Sequence, residues 1–344
     1  MKNKALYMNG KLNLAFKEMG IPQPRQGEVL VRVEYCGVCG SDVHFYETGC
    51  IGTTPIEGDL ILGHEFSGVV EKIGAEVKNV CVGDRVVLEP GIPCGHCGFC
   101  KSGRYNLCPD VQFISCPPYQ GAMRNYVTHP AHLVYKLPQN VSALEGALIE
   151  PLCVGLHAAR LGEVELGKTA VILGAGCIGL TTLAACKAMN ASRIIVTDLF
   201  KNRLDKALEM GADVVVNGKE EDTAARILEL TDGAGADVVF ETAGNRVTAA
   251  QTESLTKRGG TIVIVGNVMG ETPMNFYKIA HKELVIKTVH RYRNVFPVAI
   301  QAVADGKIDI KKIASHQFDF EDGIQAFEKA LRDKQQVVKV VLKM

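Results

Sequence analysis

Four cysteines stand close together in the segment CGHCGFCKSGRYNLC. They are separated by three, three and eight positions, and four thiolates at such spacing can close a tetrahedral zinc site with no position left for a substrate. Gly and Lys between them make a poor buried strand, so reduced core cysteines are the weaker alternative, and an iron–sulfur cluster is another. We predict a structural zinc, whose binding supplies folding energy to this lobe, held by Cys94, Cys97, Cys100 and Cys108.

A second group of potential ligands is spread along the first half of the chain. It comprises Cys39 in CGVCGSDVH, His64 and Glu65 in LGHEFSG, and Glu150 in ALIEPL. Taken singly, these residues have plain structural explanations: a buried thiol, a turn histidine, a solvated carboxylate and a helix cap before Pro151. Together with a dinucleotide fold, thiolate, imidazole and carboxylate predict a catalytic zinc with an exchangeable water.

A glycine-rich segment, GAGCIG, follows the apolar run AVIL and precedes the helical stretch LTTLAACKAM. Gly174 permits a tight turn, Gly176 lets the backbone approach a pyrophosphate, and Gly179 lets helix and strand pack closely. The helix N-terminus then offers N–H groups to the phosphates. The next strand ends in Asp198, where a carboxylate binds the ribose of NAD and repels the extra phosphate of NADP. An arginine near the end of this strand can bind the extra phosphate of NADP, and Arg203 is so placed. We give Asp198 more weight than Arg203 and therefore predict NAD.

The composition limits the class of protein. A chain of 344 residues suggests about two domains. Its 38 basic and 38 acidic residues balance, which gives no sign of nucleic acid or of an anionic membrane as a partner. The start MKNKALYMNG lacks the apolar core of a signal peptide, and no apolar run is long enough to cross a bilayer. We expect a cytoplasmic protein whose 12 cysteines are reduced and serve in part as metal ligands.

The chain has two regions that differ in their pattern of apolar residues. Residues 1 to about 150 are mostly β, as in the alternating run VLVRVEY. From 169 to about 289, short β-branched runs (AVIL, RIIV, DVVV, ADVVF, TIVIV and ELVIKTV) alternate with helical stretches such as LDKALEM and TAARILEL. Uninterrupted apolar strands fit a parallel sheet covered on both faces. Six of them predict a doubly wound dinucleotide fold.

The chain resembles the zinc-dependent medium-chain dehydrogenases, and within them the sorbitol (L-iditol) and xylitol dehydrogenases. The resemblance runs the whole length and is carried by CGVCGSDVHFYETGCIG, LGHEFSGVVEKIG, EGALIEPLCVGLHA and VHRYRNVFPVAI. It implies an α/β fold in three parts. Residues 1–152 form a GroES-like, β-rich catalytic domain with the structural zinc lobe, 153–289 form a Rossmann NAD-binding domain, and 290–344 return to the catalytic domain.

The resemblance also implies roles for individual residues. The catalytic zinc ligands match Cys39, His64 and Glu65, with Glu150 as a fourth ligand or as holder of the metal-bound water. The proton-relay positions match Ser41 and His44. Arg291 and Tyr292 match positions that face the polyol and the cofactor, and Phe45 falls at a substrate position where animal relatives often have Tyr. The cofactor-binding positions match Gly174, Gly176, Ile178, Gly179, Asp198, Arg203, Val265, Gly266, Asn267, Val289 and His290.

One departure from the polyol pattern stands next to this site. Cys153 lies where polyol enzymes often have Ser, and simple alcohol dehydrogenases have a zinc-ligating cysteine at about that place. We favour a small buried core residue for Cys153, and whether Glu150 or Cys153 completes the catalytic zinc site stays open at this point. The four-cysteine lobe is intact here, although some animal sorbitol dehydrogenases have lost it, so the chain resembles a microbial member.

The predicted function is oxidation of a polyol to its ketose, with two zinc ions per chain and NAD as hydride acceptor. The resemblance further implies a homotetramer or homodimer, with no nucleic-acid or membrane partner. One alternative is a 2,3-butanediol or threonine dehydrogenase of the same superfamily. Another, of a different class, is a non-catalytic NAD(P)-binding zinc protein.

Overall fold

The structure is a computed structural model that describes residues 2–51 and 54–344. Gly52, the last residue of CGVCGSDVHFYETGCIG, lies outside the described residues. The chain divides into a first unit (1–150, 296–304 and 314–344) and a second unit (151–295 and 305–313). Residues 290–295 and 305–313, which we expected in the return to the catalytic domain, therefore belong to the second unit. Within the described part of the chain, every helix is too short or too polar to span a membrane.

The first unit is built mainly from β-strands. The strands before its long helix are β1 (Asn3–Met8), β2 (Leu14–Met19), β3 (Glu28–Val38), β4 (Cys50–Ile51), β5 (Thr54–Pro55), β6 (Leu60–Ile61), β7 (Glu65–Ile73), β8 (Arg85–Leu88), β9 (Gly91–Ile92), β10 (Gln112–Phe113), β11 (Tyr126–Pro130) and β12 (Val134–Lys136). Short 3-10 turns occupy Tyr105–Leu107 and Ala131–Leu133. The helices are α1 (Gly40–Thr48), α2 (Gly98–Lys101) and α3 (Ala143–Leu161), which continues into the second unit.

The second unit alternates strand and helix. Its strands are β13 (Thr169–Leu173), β14 (Arg193–Asp198), β15 (Val214–Asn217), β16 (Ala236–Glu241), β17 (Thr256–Ile264) and β18 (Val285–Thr288). Its further helices are α4 (Cys177–Ala188), α5 (Lys201–Met210), α6 (Thr223–Leu230), α7 (Arg246–Leu255) and α8 (Phe276–Lys282). All six strands are parallel, in the order β15-β14-β13-β16-β17-β18. This is the doubly wound dinucleotide arrangement, so the predicted fold class is confirmed.

The C-terminal part supplies the last elements: α9 (Phe296–Ala304), a 3-10 turn at Ile310–Ile313, β19 (Ala314–Asp319), a 3-10 turn at Phe320–Asp322, α10 (Gly323–Arg332) and β20 (Lys339–Lys343). The 3-10 turn at Ile310–Ile313 is anchored on the second unit, where Lys312 Nζ donates to the carbonyl of Glu209 at 3.2 Å. β20 joins the main sheet of the first unit, which has the order β12-β8-β7-β3-β20-β19 with β11 also paired to β3.

Strand β3 organises the site of the first unit because it has β7 on one side and β20 on the other. Its register places Gly37 opposite Glu65 of β7 and Val38 opposite Val340 of β20. The alternation in VLVRVEY buries Val29, Val31 and Val33 in the core of this unit, as a strand with one covered face requires. A separate core of apolar residues, which includes Val171 and Val239, holds the second unit.

Candidate active site

Three side chains with different donor atoms meet in the first unit. Cys39 is the N-cap residue of α1, Glu65 is the first residue of β7, and His64 directly precedes that strand. One ligand atom from each lies within 4.8 Å of the others, and His64 and Glu65 are buried. Thiolate, imidazole and carboxylate are all ligands that zinc accepts, so this arrangement fits a zinc ion.

The buried carboxylate of Asp42 contacts two of these three residues, Cys39 and His64. Asp42 Oδ1 accepts a hydrogen bond from the Ser115 hydroxyl at 2.8 Å and lies 3.7 Å from Nδ1 of His64, and Asp42 Oδ2 accepts the Cys39 N–H at 3.1 Å. Burial by itself would lower the pKa of His64, but the negative charges of Asp42 and Cys39 and their hydrogen bonds hold it well above its ordinary value. A carboxylate behind a metal-binding imidazole orients the ring and increases its basicity.

Glu65 has a second partner besides the prospective metal. Lys339 Nζ lies 2.7 Å from Oε1 and 2.8 Å from Oε2 of Glu65, and it also donates to the Val38 carbonyl at 3.2 Å. The ammonium and the carboxylate are both almost completely buried, so each would be costly to bury alone. Lys339 therefore fixes the Glu65 carboxylate within the group that Cys39 and His64 complete.

The remaining predicted residues of the catalytic zinc site are placed on two helices. Ser41, His44 and Phe45 lie on α1 and are half-buried. Glu150 is buried on α3, and Cys153 is fully buried one turn later on that helix. Among the described residues, the group of ligand atoms within 4.8 Å contains Cys39, His64 and Glu65 but does not include Glu150.

The four cysteines of the lobe come together as a closed set, with Sγ atoms within 4.8 Å of one another. Backbone N–H groups donate hydrogen bonds to three of the sulfurs, each with an N–Sγ distance of 3.4 Å. The donors and acceptors are Cys94 N–H to Cys108 Sγ, Cys97 N–H to Cys94 Sγ, and Cys100 N–H to Cys97 Sγ. The N–H groups of His96 and Cys97 lower the pKa of the Cys94 thiol. Four thiolates surrounded by amide donors fit a tetrahedral zinc.

A buried glutamate fastens this lobe to the β-structure of the first unit. Glu89 follows β8 directly, and its two carboxylate oxygens accept the hydroxyls of Tyr105 and Tyr135, each at 2.9 Å. Tyr105 lies between the third and fourth cysteines, and Tyr135 is in β12. The lobe is therefore joined to the sheet through a hydrogen-bonded carboxylate as well as through the chain.

The predicted dinucleotide residues gather at the carboxyl ends of the parallel strands of the second unit. Gly174 has a φ of 107° in the turn after β13, and Gly176 is the N-cap of α4, the helix that contains Ile178. A Cβ placed on Gly179 would lie 1.8 Å from the Gly174 carbonyl oxygen, so the close approach of helix and strand requires glycine there. Val265, Gly266 and Asn267 follow β17, whereas Val289, His290, Arg291 and Tyr292 follow β18. Ligands of such sheets bind at this edge.

Asp198 has a structural role in addition to the predicted one. Its Oδ2 accepts the Ala175 N–H of the glycine-rich turn at 2.8 Å, and its Oδ1 accepts the N–H groups of Leu199 and Phe200 at 2.8 and 3.0 Å. Arg203 Nη1 lies 4.0 Å from Oδ2. Asp198 thus places its negative charge at the carboxyl end of β14. Through the Ala175 N–H it also links this end of β14 to the turn after β13.

Comparison with known proteins decides the family. The family described as Alcohol dehydrogenase GroES-like domain matches residues 25–139, and the family Zinc-binding dehydrogenase matches residues 177–305. The uncharacterized zinc-type alcohol dehydrogenase-like protein YdjJ of Escherichia coli K12 is 47% identical over 346 residues, which cover 100% of this chain and 99% of YdjJ. This chain is a zinc-dependent medium-chain dehydrogenase.

Two further relatives place the dehydrogenase within its family. Sorbitol dehydrogenase of Bacillus subtilis strain 168 is 41% identical over 340 residues, covering 98% of this chain and 96% of that protein. The short chain alcohol dehydrogenase rspB of Escherichia coli CFT073, solved in complex with NADH, has a TM-score of 0.93 at 29% identity, covering 100% of this chain and 99% of the other. The dehydrogenase is thus close to the sorbitol dehydrogenases, as the sequence motifs predicted.

Sequence reasoning missed two residues that contact the candidate zinc ligands of this dehydrogenase. Asp42 left a local signal, because an acidic residue three positions after an N-cap is a frequent partner of the cap. Lys339 left none, since it is 274 positions from Glu65 and lies in an ordinary apolar strand sequence.

Proposed function

We propose that this zinc-dependent alcohol or polyol dehydrogenase oxidises a polyol of the sorbitol, L-iditol or xylitol type to its ketose, with NAD as the hydride acceptor. The observation that carries the proposal is the ligand group of Cys39, His64 and Glu65. A single thiolate donates less charge to zinc than two would, which favours binding of adjacent hydroxyls. The 41% identity to a sorbitol dehydrogenase supports the same substrate class.

Zinc held by these ligands would supply a Lewis acid that lowers the pKa of the substrate hydroxyl. Ser41 and His44 are three residues apart on α1, so they share one face of the helix whose N-cap is the ligand Cys39. We assign to them the transfer of the hydroxyl proton toward solvent. We propose that Glu150 would be a fourth residue to hold the zinc ion and that the polyol would take its place.

The proposed cofactor site has the glycine-rich turn and the N-terminus of α4 for the pyrophosphate, with Asp198 for the adenosine ribose. The relative rspB was solved with NADH, which supports a nicotinamide dinucleotide here. Preference for NAD over NADP rests on the charge of Asp198, with Arg203 as the competing influence.

A substrate panel tests the proposal. NADH absorbance is followed for the purified, zinc-loaded enzyme with sorbitol, xylitol, L-iditol, 2,3-butanediol, threonine and a simple secondary alcohol. We expect the highest kcat/KM with a polyol and no turnover by a Cys39→Ser control. Preference for butanediol or threonine would contradict the polyol assignment, and binding of NADH without any turnover would indicate a non-catalytic protein.

Two kinds of zinc site are part of the proposal. The closed four-cysteine set should hold its metal tightly, whereas the open set should lose its metal to a mild chelator. We therefore expect mild chelation to remove one zinc per chain and all activity while far-UV circular dichroism stays unchanged. A single tightly held zinc with intact activity would contradict this.

We also propose that two copies pair through β18. This strand is at the edge of its sheet, and Val285 and Ile286 on it are exposed. Phe276 and Tyr277 of α8 are still more exposed. An apolar edge strand of this kind is a template for pairing with a second chain. Light scattering should show a dimer or tetramer that Ile286→Lys dissociates, while a monomeric wild type would contradict the proposal.

A further inference from the structure

Glu241 is a buried carboxylate that the proposed chemistry does not use. It is the last residue of β16, a central strand of the second unit that pairs with both β13 and β17. Its side chain is completely shielded from solvent, and burial raises its pKa above the ordinary value. Because a buried carboxylate is costly unless it is well hydrogen-bonded, its contacts indicate what it stabilises.

The hydrogen bonds that the Glu241 carboxylate accepts come from residues 243–245, just before α7, and from the first turn of that helix. Oε1 of Glu241 accepts the N–H of Ala243 at 3.1 Å, the N–H of Asn245 at 3.3 Å and the hydroxyl of Thr248 at 2.8 Å. Oε2 accepts the N–H of Gly244 at 3.3 Å. Three successive amides of the loop before α7 thus donate to the protein's own carboxylate, an arrangement of backbone N–H groups that suits an anion.

The segment held by Glu241 packs directly against the glycine-rich turn. A Cβ on Gly174 would lie 3.0 Å from both the N and the Cβ of Ala243, so the two backbones are in contact. Thr242 adds a hydroxyl that donates to the carbonyls of Leu173 and Gly174, each at 2.9 Å. The position of the turn after β13 therefore depends on the position of residues 242–245.

The same carboxylate also contacts the loop after β17. A Cβ on Gly266 would lie 2.6 Å from Oε2 of Glu241 and 2.3 Å from the N of Gly244. The backbone carbonyl of Glu241 accepts the N–H groups of Val265 and Gly266 at 2.8 and 2.9 Å. Three loops at the carboxyl edge of the sheet, those after β13, β16 and β17, thus meet around one residue.

We propose that Glu241 is a positioning residue of the dinucleotide site. Its carboxylate holds residues 243–245 in place, and through them it sets the spacing between the glycine-rich turn and the loop at 265–267. It also accepts hydrogen bonds from the three successive amides of residues 243–245, which directly precede α7. The inference rests on the proposed assignment of NAD to these loops and adds a residue that acts through residues 243–245.

Glu241→Gln tests the proposal, because the amide keeps the size of the side chain but can no longer accept hydrogen bonds at both ends. The matched control is Glu253→Gln, another buried glutamate of the second unit, whose Oε2 accepts the Asn275 N–H at 2.7 Å. NADH dissociation constants are measured by fluorescence without substrate, together with zinc content and thermal unfolding. Thr248→Val, which removes one donor to Glu241, serves as a milder variant that keeps the fold.

For Glu241→Gln we expect the NADH dissociation constant to rise about tenfold, with normal zinc content and with the KM for NAD raised more than kcat is lowered. Thr248→Val should give a smaller rise, and Glu253→Gln should leave NADH binding unchanged even where it lowers the unfolding temperature. Unchanged NADH binding in both Glu241→Gln and Thr248→Val would overturn the proposal, as would an equal rise in Glu253→Gln. Normal NADH binding by a wild type that oxidises no polyol would contradict only the proposed function, and a wild type without NADH binding would overturn both.

Discussion

Lys339 and Glu65 form a buried ion pair in which one ammonium contacts both carboxylate oxygens, at 2.7 and 2.8 Å. Glu65 is at the same time one of three side chains whose ligand atoms lie within 4.8 Å of one another and could hold a metal ion. Lys339 begins β20, so the C-terminal strand supplies the counter-charge for a ligand on β7. The pair keeps a buried carboxylate compensated when no metal neutralises it.

Replacing Lys339 with Met should therefore destabilise the metal-free site more than the zinc-loaded one. An uncompensated buried charge costs about 3 kcal/mol, and zinc would supply the missing positive charge. Urea unfolding of Lys339→Met is compared with wild type before and after mild chelation, with Lys339→Arg as the variant that keeps the charge. An equal loss in the two metal states would show that Lys339 acts independently of the metal.

Asp198→Asn should relax the choice between NAD and NADP. The amide keeps an oxygen that can accept the Ala175 N–H, so the turn is retained while the charge that repels the NADP phosphate is lost. We expect a rise in kcat/KM for NADP and a fall for NAD. Asp198→Ala should lose more NAD activity because the hydrogen bond to the turn is lost as well. Equal wild-type efficiency with both cofactors would show that Arg203 determines the preference.

The roles of the ligands are separated by measuring zinc content beside the rate of polyol oxidation. Cys39→Ser and His64→Ala should lose the metal itself, because zinc holds sulfur and imidazole nitrogen most strongly. Glu150→Ala should lose turnover more than metal, since we assign Glu150 a position that substrate replaces, and Glu65→Ala should fall between. Normal activity of Glu150→Ala together with zinc loss in Cys153→Ser would reverse the assignment of the fourth ligand.

His129 should make the first unit sensitive to acid. It is buried in β11 with Nε2 2.9 Å from the Glu89 carbonyl, and burial lowers its pKa to about 4. The unfolded chain therefore binds a proton that the folded chain rejects, and stability falls as the pH drops from the ordinary histidine pKa toward the lowered one. Between about pH 7.5 and 5.5 the loss should be about 1 kcal/mol.

His129→Gln removes this proton linkage. The free energy of unfolding of zinc-loaded wild type and variant is measured by urea titration across that range. The curves should run parallel above about pH 7.5 and converge below it, because only the wild type loses stability through His129. Curves that stay parallel throughout would show that His129 does not contribute to the acid sensitivity.

Local patterns in the sequence were sufficient to predict the dinucleotide fold and the close grouping of the four cysteines. The six β-branched runs became the six parallel strands, and TAARILEL became α6 with the predicted limits. The sequence was sufficient to predict how the residues of GAGCIG and the four cysteines come together, because each group lies within one turn or one short lobe. In both cases the spacing along the chain nearly determines the spacing in space.

The tertiary structure alone decided which distant residues lie next to the two candidate sites. Lys339 meets Glu65 only because β20 pairs with β3 and β3 with β7. The residues that Glu241 holds lie against the glycine-rich turn only because β16 is the neighbour of β13 in a sheet whose order differs from the chain order. Nothing in either local sequence distinguishes these charged residues from solvated ones. Their charges were predictable from the sequence, but their burial and their partners depend on strand pairing between segments far apart in the chain.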